Sequence, residues 1–282
     1  MKVLIPYAIT DGVLTYSSTP EADYPVWYAL QFFAAGARVI RPGLHRIYER
    51  QVAGYGSIPP EVDTANWTLV GPTNRWAMLD DSVGSSTTGA GSVSATLLLP
   101  GPVNDVVLMN VIGSTVTLAL NGRNIRSAAV PASDRAGVGS ALQINGLSLT
   151  GTPSLTVTVT GTGTVSVGTL AVGTFTAIGD DERGLQIGMQ SYSSKAFDKF
   201  GAATVVKRST ARRLSGSITL SPAATDQCAR VLTALRARPA VWVGLPWVDA
   251  TFVYGIASNW SLSVQRGITR GTLSIRGLTV GL

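Results

Sequence analysis

Proton transfer or nucleophilic attack needs a titratable or nucleophilic group held beside a partner that activates it, and few such groups stand in these 282 residues. His45 is the sole histidine. It lies in a short turn between two apparent hairpin strands and reads as a structural or surface residue. No Gly-x-Ser-x-Gly supplies the nucleophile turn that a Ser-His-Asp centre would use. A glycosidase would need two carboxylates placed across a sugar. The obvious acid clusters, Asp80-Asp81 and Asp180-Asp181-Glu182, sit at segment boundaries, where capping or turn roles are expected, and the spaced Asp-x-Asp ligands of a calcium loop are missing from them. The single cysteine, Cys228, allows neither an intrachain disulfide nor a cysteine-based zinc cluster. Gly84, Gly89 and Gly91 are not followed by Gly-Lys-Ser/Thr and read as linker, not as a phosphate loop. The expectation is a chain with no catalytic residues, no metal and no cofactor.

Two groups of side chains remain as candidates for contact. Trp27, Tyr48, Trp67 and Trp76 could meet a sugar ring or a protein neighbour, although tryptophan in so small a segment more often forms its core. Trp242, Trp247 and Trp260 carry the same ambiguity, and Trp247, after Leu245-Pro246, is expected to be the most exposed of them. Lys207, Arg208, Arg212 and Arg213 form the densest basic cluster. Phosphate contact by such residues would give salt-dependent, sequence-independent affinity. The cluster has no interleaved aromatics and no accompanying helix-turn-helix, zinc finger or RNA-binding motif, so a basic protein interface is expected in place of a nucleic-acid site.

Composition says what must hold these groups. Only 13% of residues are charged while 45% are hydrophobic, and the mean hydropathy is +0.26, which is apolar for a free soluble monomer. Much of the surface is therefore expected to be covered by neighbours. No uninterrupted apolar run reaches the roughly 18 residues of a membrane span. The stretch Met1 to Tyr7 is too short in its apolar part for a secretory signal, and Asp11 follows soon after, so synthesis and retention in a cytoplasm are expected. The net charge of +6 is unevenly spread: residues 1 to 180 carry nine Lys/Arg against eleven Asp/Glu, whereas residues 181 to 282 carry thirteen against five. The basic character belongs to the last third.

The predicted fold class is mainly β, in three parts. Residues 1–70 form a small aromatic-rich β mini-domain, in which Ala37–Arg41 and Arg46–Arg50 make a hairpin around Pro42-Gly43. Residues 71–83 are a junction, fixed by Gly71-Pro72 and flanked by Trp67 and Trp76. Residues 84–179 are rich in Ser, Thr, Gly and Val and form a β-sandwich or jelly-roll-like domain. Its strands are expected at 106–112, 115–120, 155–160 and 164–168, by β-branched content and period-two alternation. Asn121-Gly122, Asn145-Gly146 and Gly161-Thr162-Gly163 are the expected turns between strands. Such uncharged strands would aggregate if their edges stood free, so paired or covered edges are expected.

Residues 180–282 form an α+β domain with a basic surface. Its one main helix is expected to be capped by Ser221, to carry Pro222 at its first position, and to face the sheet with Ala224, Cys228, Val231, Leu232 and Leu235. Arg236 and Arg238 suit its C-terminal dipole, and Pro239 ends it. Strands are predicted at 216–220, 240–244, 251–256, 260–264 and 272–276.

The stretch Gly71-Pro72-Thr73-Asn74-Arg75-Trp76-Ala77-Met78-Leu79-Asp80-Asp81, together with the start from Met1 through Tyr24-Pro25-Val26-Trp27, resembles a family of tail tip and baseplate structural proteins of long-tailed bacteriophages. A more distant likeness runs from the basic segment through the helix to Val241-Trp242-Val243-Gly244 and Phe252-Val253-Tyr254-Gly255. Within the mini-domain, Trp27, Phe32 or Phe33, Gly36, Val39, Gly43, Tyr48, Pro59 and Trp67 resemble, over about forty residues, a small chitin-binding type of carbohydrate-binding module. That family usually offers an exposed aromatic shortly after the position of Tyr48, where this chain reads Glu49-Arg50-Gln51-Val52-Ala53, so the resemblance implies the fold more than the sugar binding. The tail resemblance implies a non-enzymatic virion protein, assembled in the host cytoplasm, that connects the tail core to fibres or receptor-contacting parts. Its partners would be other tail and baseplate proteins and further copies of itself in a three-fold or six-fold ring. A carbohydrate-binding receptor protein acting on a host surface glycan is the alternative, and a phage-borne glycan hydrolase a third.

Overall fold

The computed structural model describes residues 1–80, 84–132, 140–197, 199–200, 203–206, 210–236, 238–245 and 248–280. The chain is mainly β, with several antiparallel sheets and one α-helix.

The Thr/Val alternation of the middle of the chain sorts side chains onto two faces. In the strand Ser154–Gly173, Leu155, Val157 and Val159 point into a core with Val93, Ala95, Leu97, Val116 and Leu118. The threonines between them face outward and pair across strands, Thr156 with Thr96 and Thr158 with Ser94, each at 2.9 Å. Such cross-strand pairs stabilise a sheet without charge. The first half of this strand lies between Thr115–Leu120 and Thr87–Leu98, and its second half pairs with Asp105–Ile112. The expected turn at Gly161-Thr162-Gly163 is instead a bulge, where the register with Thr87–Leu98 shifts between Thr160 and Thr164. Gly163 takes φ +75° there, and the two strands foreseen at 155–160 and 164–168 are one strand of 20 residues. A bulge bends a strand without ending it, so one strand serves both halves of the sandwich. Asn121-Gly122 does form its turn: Asn121 at φ 48° and Gly122 at φ 80° join Thr115–Leu120 to Arg123–Ala129 with both central residues left-handed.

A second seven-stranded sheet runs in the order Phe175–Ala177, Lys2–Leu4, Ala240–Val243, Phe252–Gln265, Ile268–Val280, Thr210–Leu220, Asp180–Ser191. The segments foreseen at 251–256 and 260–264 are one strand, again bent at a register shift, between Ala257 and Asn259. One face of this sheet carries the helix Thr225–Ala234, whose Cys228 and Leu232 pack with Leu235, Leu214, Ile218, Trp242 and Ile275. The opposite face, through Val241, Val243, Phe252 and Tyr254, packs on Val107 and Ala171 of the sandwich. The layers are therefore helix, sheet and sandwich. No helix among the described residues is long and apolar enough to cross a membrane.

The helix starts later than Ser221. Ser221 is extended and makes no side-chain cap bond, Pro222–Ala224 form a 3-10 turn, and the α-helix begins at Thr225. Its last turn carries no basic residue, so Arg236 and Arg238 lie beyond the reach expected of them.

Two strands cross the boundaries drawn from composition. Lys2–Leu4 belongs to the C-terminal sheet and Leu14–Ser17 pairs with Thr87–Leu98 of the sandwich. The mini-domain core begins only at Trp27. It consists of Gln31–Phe33 paired with Gly54–Gly56, and of Arg38–Arg41, Arg46–Arg50 and Trp67–Pro72 in a three-stranded sheet. Trp27, Phe33, Val39, Tyr48 and Trp67 fill it. Neither Lys2–Leu4 nor Leu14–Ser17 is foreseen from the sequence, and long-range pairing alone assigns them to their sheets.

Candidate functional site

The stretch after Gly71-Pro72 joins the mini-domain to the sandwich. Thr73, fully buried, donates its backbone N–H to His45 O at 2.9 Å and its hydroxyl to Glu21 Oε1 at 2.9 Å. Asn74 acts like a short piece of strand: its Oδ1 accepts from Thr88 N at 2.7 Å and its Nδ2 donates to Thr88 O at 3.0 Å. Its own backbone N–H points at the Asp23 carboxylate, 3.2 Å from both oxygens. Trp76 and Met78 enter the sandwich core. Met78 N donates to Thr87 Oγ1 at 3.0 Å and Met78 O accepts from Leu170 N at 2.7 Å. Arg46 closes the seam by reaching Asp80 at 2.7 and 3.4 Å. Asp81 lies outside the described residues.

His45 is bound into this seam. It takes φ 57° at the end of the 3-10 turn Pro42–Leu44 and stacks on Trp76 with ring centroids 3.9 Å apart and planes 21° apart. Its Nε2 lies 3.3 Å from Asp11 Oδ1 and its Nδ1 3.2 Å from Glu21 Oε1. Both ring nitrogens thus face carboxylates, an arrangement that ties the N-terminal segment to the mini-domain.

The candidate contact residues are interior. Trp27, Tyr48, Trp67 and Trp76 are 8%, 7%, 2% and 6% exposed. Arg41 lies over the Trp27 ring at 5.1 Å and Arg50 over Trp67 at 5.2 Å, so these indoles are not open to a sugar face. Burial also holds the Tyr48 phenol above the ordinary tyrosine value.

In the mini-domain, the aromatics that do reach solvent are their neighbours. Tyr28, Phe32 and Tyr55 are 65%, 56% and 74% exposed, with Leu30 at 76%. Phe32 and Tyr55 stand directly opposite each other across the Gln31–Phe33 and Gly54–Gly56 pair, edge to face at 5.6 Å. The signal was present in Phe32-Phe33: in a strand, adjacent residues face opposite ways, so one ring must be buried and the other presented.

Of the basic cluster, Lys207 and Arg208 lie outside the described residues. Arg212 and Arg213 are exposed on Thr210–Leu220, with Arg213 opposite Arg276. Arg276 in turn meets the Tyr192 hydroxyl. Among the described residues no group of three His, Cys, Asp or Glu side chains converges on a metal position.

No protein-family model matches this chain, and no curated protein or solved structure does so either.

Proposed function

We propose that this chain is a non-enzymatic structural protein of a bacteriophage tail tip or baseplate, connecting the tail core to fibres or receptor-contacting parts. The observation that carries the reading is the outer edge of the C-terminal sheet. Asp180–Ser191 is the terminal strand of that sheet, and from residue 184 to 191 it holds no charge and no proline. Ile187 and Met189 on it are 48% and 71% exposed. Free-standing proteins blunt such an edge with charge, proline or cover. The first four residues of the strand are charged and its register shifts between Asp181 and Leu185, which guards its start; the uncharged run from 184 to 191 suits a protein whose edge is covered in an assembly, and a head-to-tail contact of that kind closes rings of three or six copies. The low charge of the whole chain and the resemblance of residues 1–81 to tail proteins support the same reading. Mass spectrometry of purified tails of the phage encoding this sequence should find the polypeptide at a fixed copy number. Its absence from intact, infectious tails would end the proposal.

A carbohydrate-binding receptor role is the second reading, favoured by the exposed set Tyr28, Phe32 and Tyr55. Aromatic faces offer sugars an apolar platform. Binding of whole host cells or host glycans that disappears in Tyr28→Ala and Tyr55→Ala variants would support it, and the absence of any binding at millimolar sugar would count against it.

A further inference from the structure

One strand pair of the mini-domain presents its apolar side chains to solvent. Gln31–Phe33 pairs with Gly54–Gly56, and the turn at Ala29-Leu30 feeds the pair, with Leu30 N donating to Gly56 O at 2.7 Å. In and beside it, Tyr28, Leu30, Phe32, Val52, Tyr55 and Ile58 are all exposed, Leu30 the most of them. Leu30 is also strained. It takes φ 63°, a left-handed conformation that glycine or asparagine adopts at far less cost than leucine. The pair cannot relieve this exposure by collapsing inward, because Phe33 and Trp27 already belong to the core beneath it, and a Cβ at Gly56 would come within 2.9 Å of the Phe33 ring. A strained backbone that holds a large aliphatic side chain in water points to a contact made by that side chain.

Size, charge and residue type choose the occupant. Three aromatic side chains of roughly 150–250 Å² each, more than half exposed, together with Leu30 present on the order of 500 Å² of apolar surface. A stable dimer needs about 800 Å² per partner, so the patch is too small to hold a second copy of the chain by itself. No charged residue occurs from 24 to 37 or from 51 to 60, and the mini-domain arginines Arg38, Arg41 and Arg50 are paired with Glu49, Glu61 and Asp63. A charged partner finds no counter-charge there. A sugar ring can stack on Tyr28, Phe32 or Tyr55 but gains nothing from Leu30, which offers neither a flat face nor a hydrogen bond. A lipid surface uses every member of the patch. Leucine and phenylalanine suit the acyl region, and tyrosine keeps its ring in the apolar layer and its hydroxyl among the headgroups. A fluid layer also needs no matching pit.

We infer that Tyr28, Leu30, Phe32 and Tyr55 dock the mini-domain on a lipid surface, with Leu30 and Phe32 inserted among the acyl chains and the two tyrosine hydroxyls left at the headgroup level. The contact is peripheral and independent of lipid charge. One patch of this size holds weakly and reversibly, and the several copies of a ring would sum such contacts; only that last step rests on the tail reading.

The test is flotation of the full chain with vesicles of phosphatidylcholine alone, in about 0.5 M salt, which keeps the basic last third of the chain out of the readout. Binding is expected, and it should be equally strong without added salt. Leu30→Asn suits the left-handed backbone, so the variant should fold at least as stably as the parent. It should weaken binding about tenfold, the scale of one partly inserted leucine side chain. Combining it with Phe32→Ser should abolish flotation. Val264→Ser, which removes a likewise exposed aliphatic side chain from the C-terminal sheet, should leave it unchanged. With spin-labelled lipid, the Leu30 methyl resonances should broaden and those of Val264 should not. The inference is overturned if the chain does not float, if Leu30→Asn or the combined variant floats as well as the parent, or if Val264→Ser loses as much as Leu30→Asn. Release from the vesicles by millimolar diacetylchitobiose would overturn it in favour of a sugar platform. A dimer that Leu30→Asn dissolves, without flotation of the parent, would overturn it in favour of a protein contact. Failure to find the chain in tails leaves every one of these readouts in place.

Discussion

Replacing Asn74 with alanine should loosen the seam more than any other single polar change in it. The side chain makes two bonds to the Thr88 backbone, at 2.7 and 3.0 Å, and the alanine variant leaves both the N–H and the C=O of Thr88 without that partner. Each unsatisfied group costs about 1–3 kcal/mol when fully buried. Thr88 is only half-buried, so water recovers part of the loss and the lower end applies, giving about 2 kcal/mol in total. Arg75 supplies a convenient reporter, because trypsin cuts after it and its peptide bond lies inside the bonded stretch between Thr73 and Trp76, where Trp76 N donates to Thr73 O at 2.9 Å. Cleavage there requires local opening, and when opening is fast relative to cleavage the rate follows the open population. A 2 kcal/mol loss then raises the rate at Arg75 roughly thirtyfold, since about 1.4 kcal/mol is a factor of ten. Timed proteolysis under native conditions, with fragments identified by mass, measures this directly. A variant cut at Arg75 no faster than the parent, with an unchanged urea midpoint, would refute the view that Asn74 couples the mini-domain to the sandwich.

Trp67→Ala should cost about 3–5 kcal/mol, because the ring is 2% exposed and packs on Phe33 at 5.0 Å and under Arg50; near-UV circular dichroism of the mini-domain aromatics should collapse while Cys228 stays protected from alkylation. Gly255→Ala should cost about 3 kcal/mol or prevent folding, since a Cβ there would sit 2.3 Å from Arg276 O and 2.6 Å from Gly277 Cα on the neighbouring strand; thermal denaturation of any soluble product checks it. Burial holds the Cys228 thiol above its ordinary value, so the native fold favours the protonated form. Its contribution to stability is complete below the thiol's usual pKa of about 8.5 and declines as pH rises beyond it. Native protein should therefore react slowly with iodoacetamide at pH 8 and quickly in urea, and equal rates would contradict the packing of the helix on its sheet.

The β class, the hairpin at Pro42-Gly43 and the strands from Val106 to Leu120 were legible because they depend on nearest neighbours: alternation for burial, and Asn121-Gly122 for a left-handed turn. The misread places have a different cause. Gly161-Thr162-Gly163 carries the composition of a turn, yet the same glycines serve a bulge, and only the strand waiting on either side decides between them. Lys2–Leu4 and Leu14–Ser17 are not foreseen, because strands of 3 and 4 residues carry too little pattern and their partners lie far along the chain at Thr176, Trp242 and Thr96. Trp27 and Trp67 form the mini-domain core, as tryptophan in so small a segment is expected to do, whereas the exposed rings of the mini-domain are Tyr28, Phe32 and Tyr55.

The seam from Thr73 to Asp80 binds the mini-domain to the sandwich. From Thr73 to Asp80, its described side chains and main chain serve two parts of the molecule: Thr73 holds Glu21 and the His45 turn and Asp80 holds Arg46, while Asn74 holds Thr88 and Met78 holds Leu170. Those partners run from Glu21 to Leu170 in the chain, so the spacing of the seam residues fixes how the two parts sit against one another. A hydrolase places its invested precision around a reacting bond. Here the bonded stretch holds the mini-domain against the sandwich, which supports the proposed connecting role.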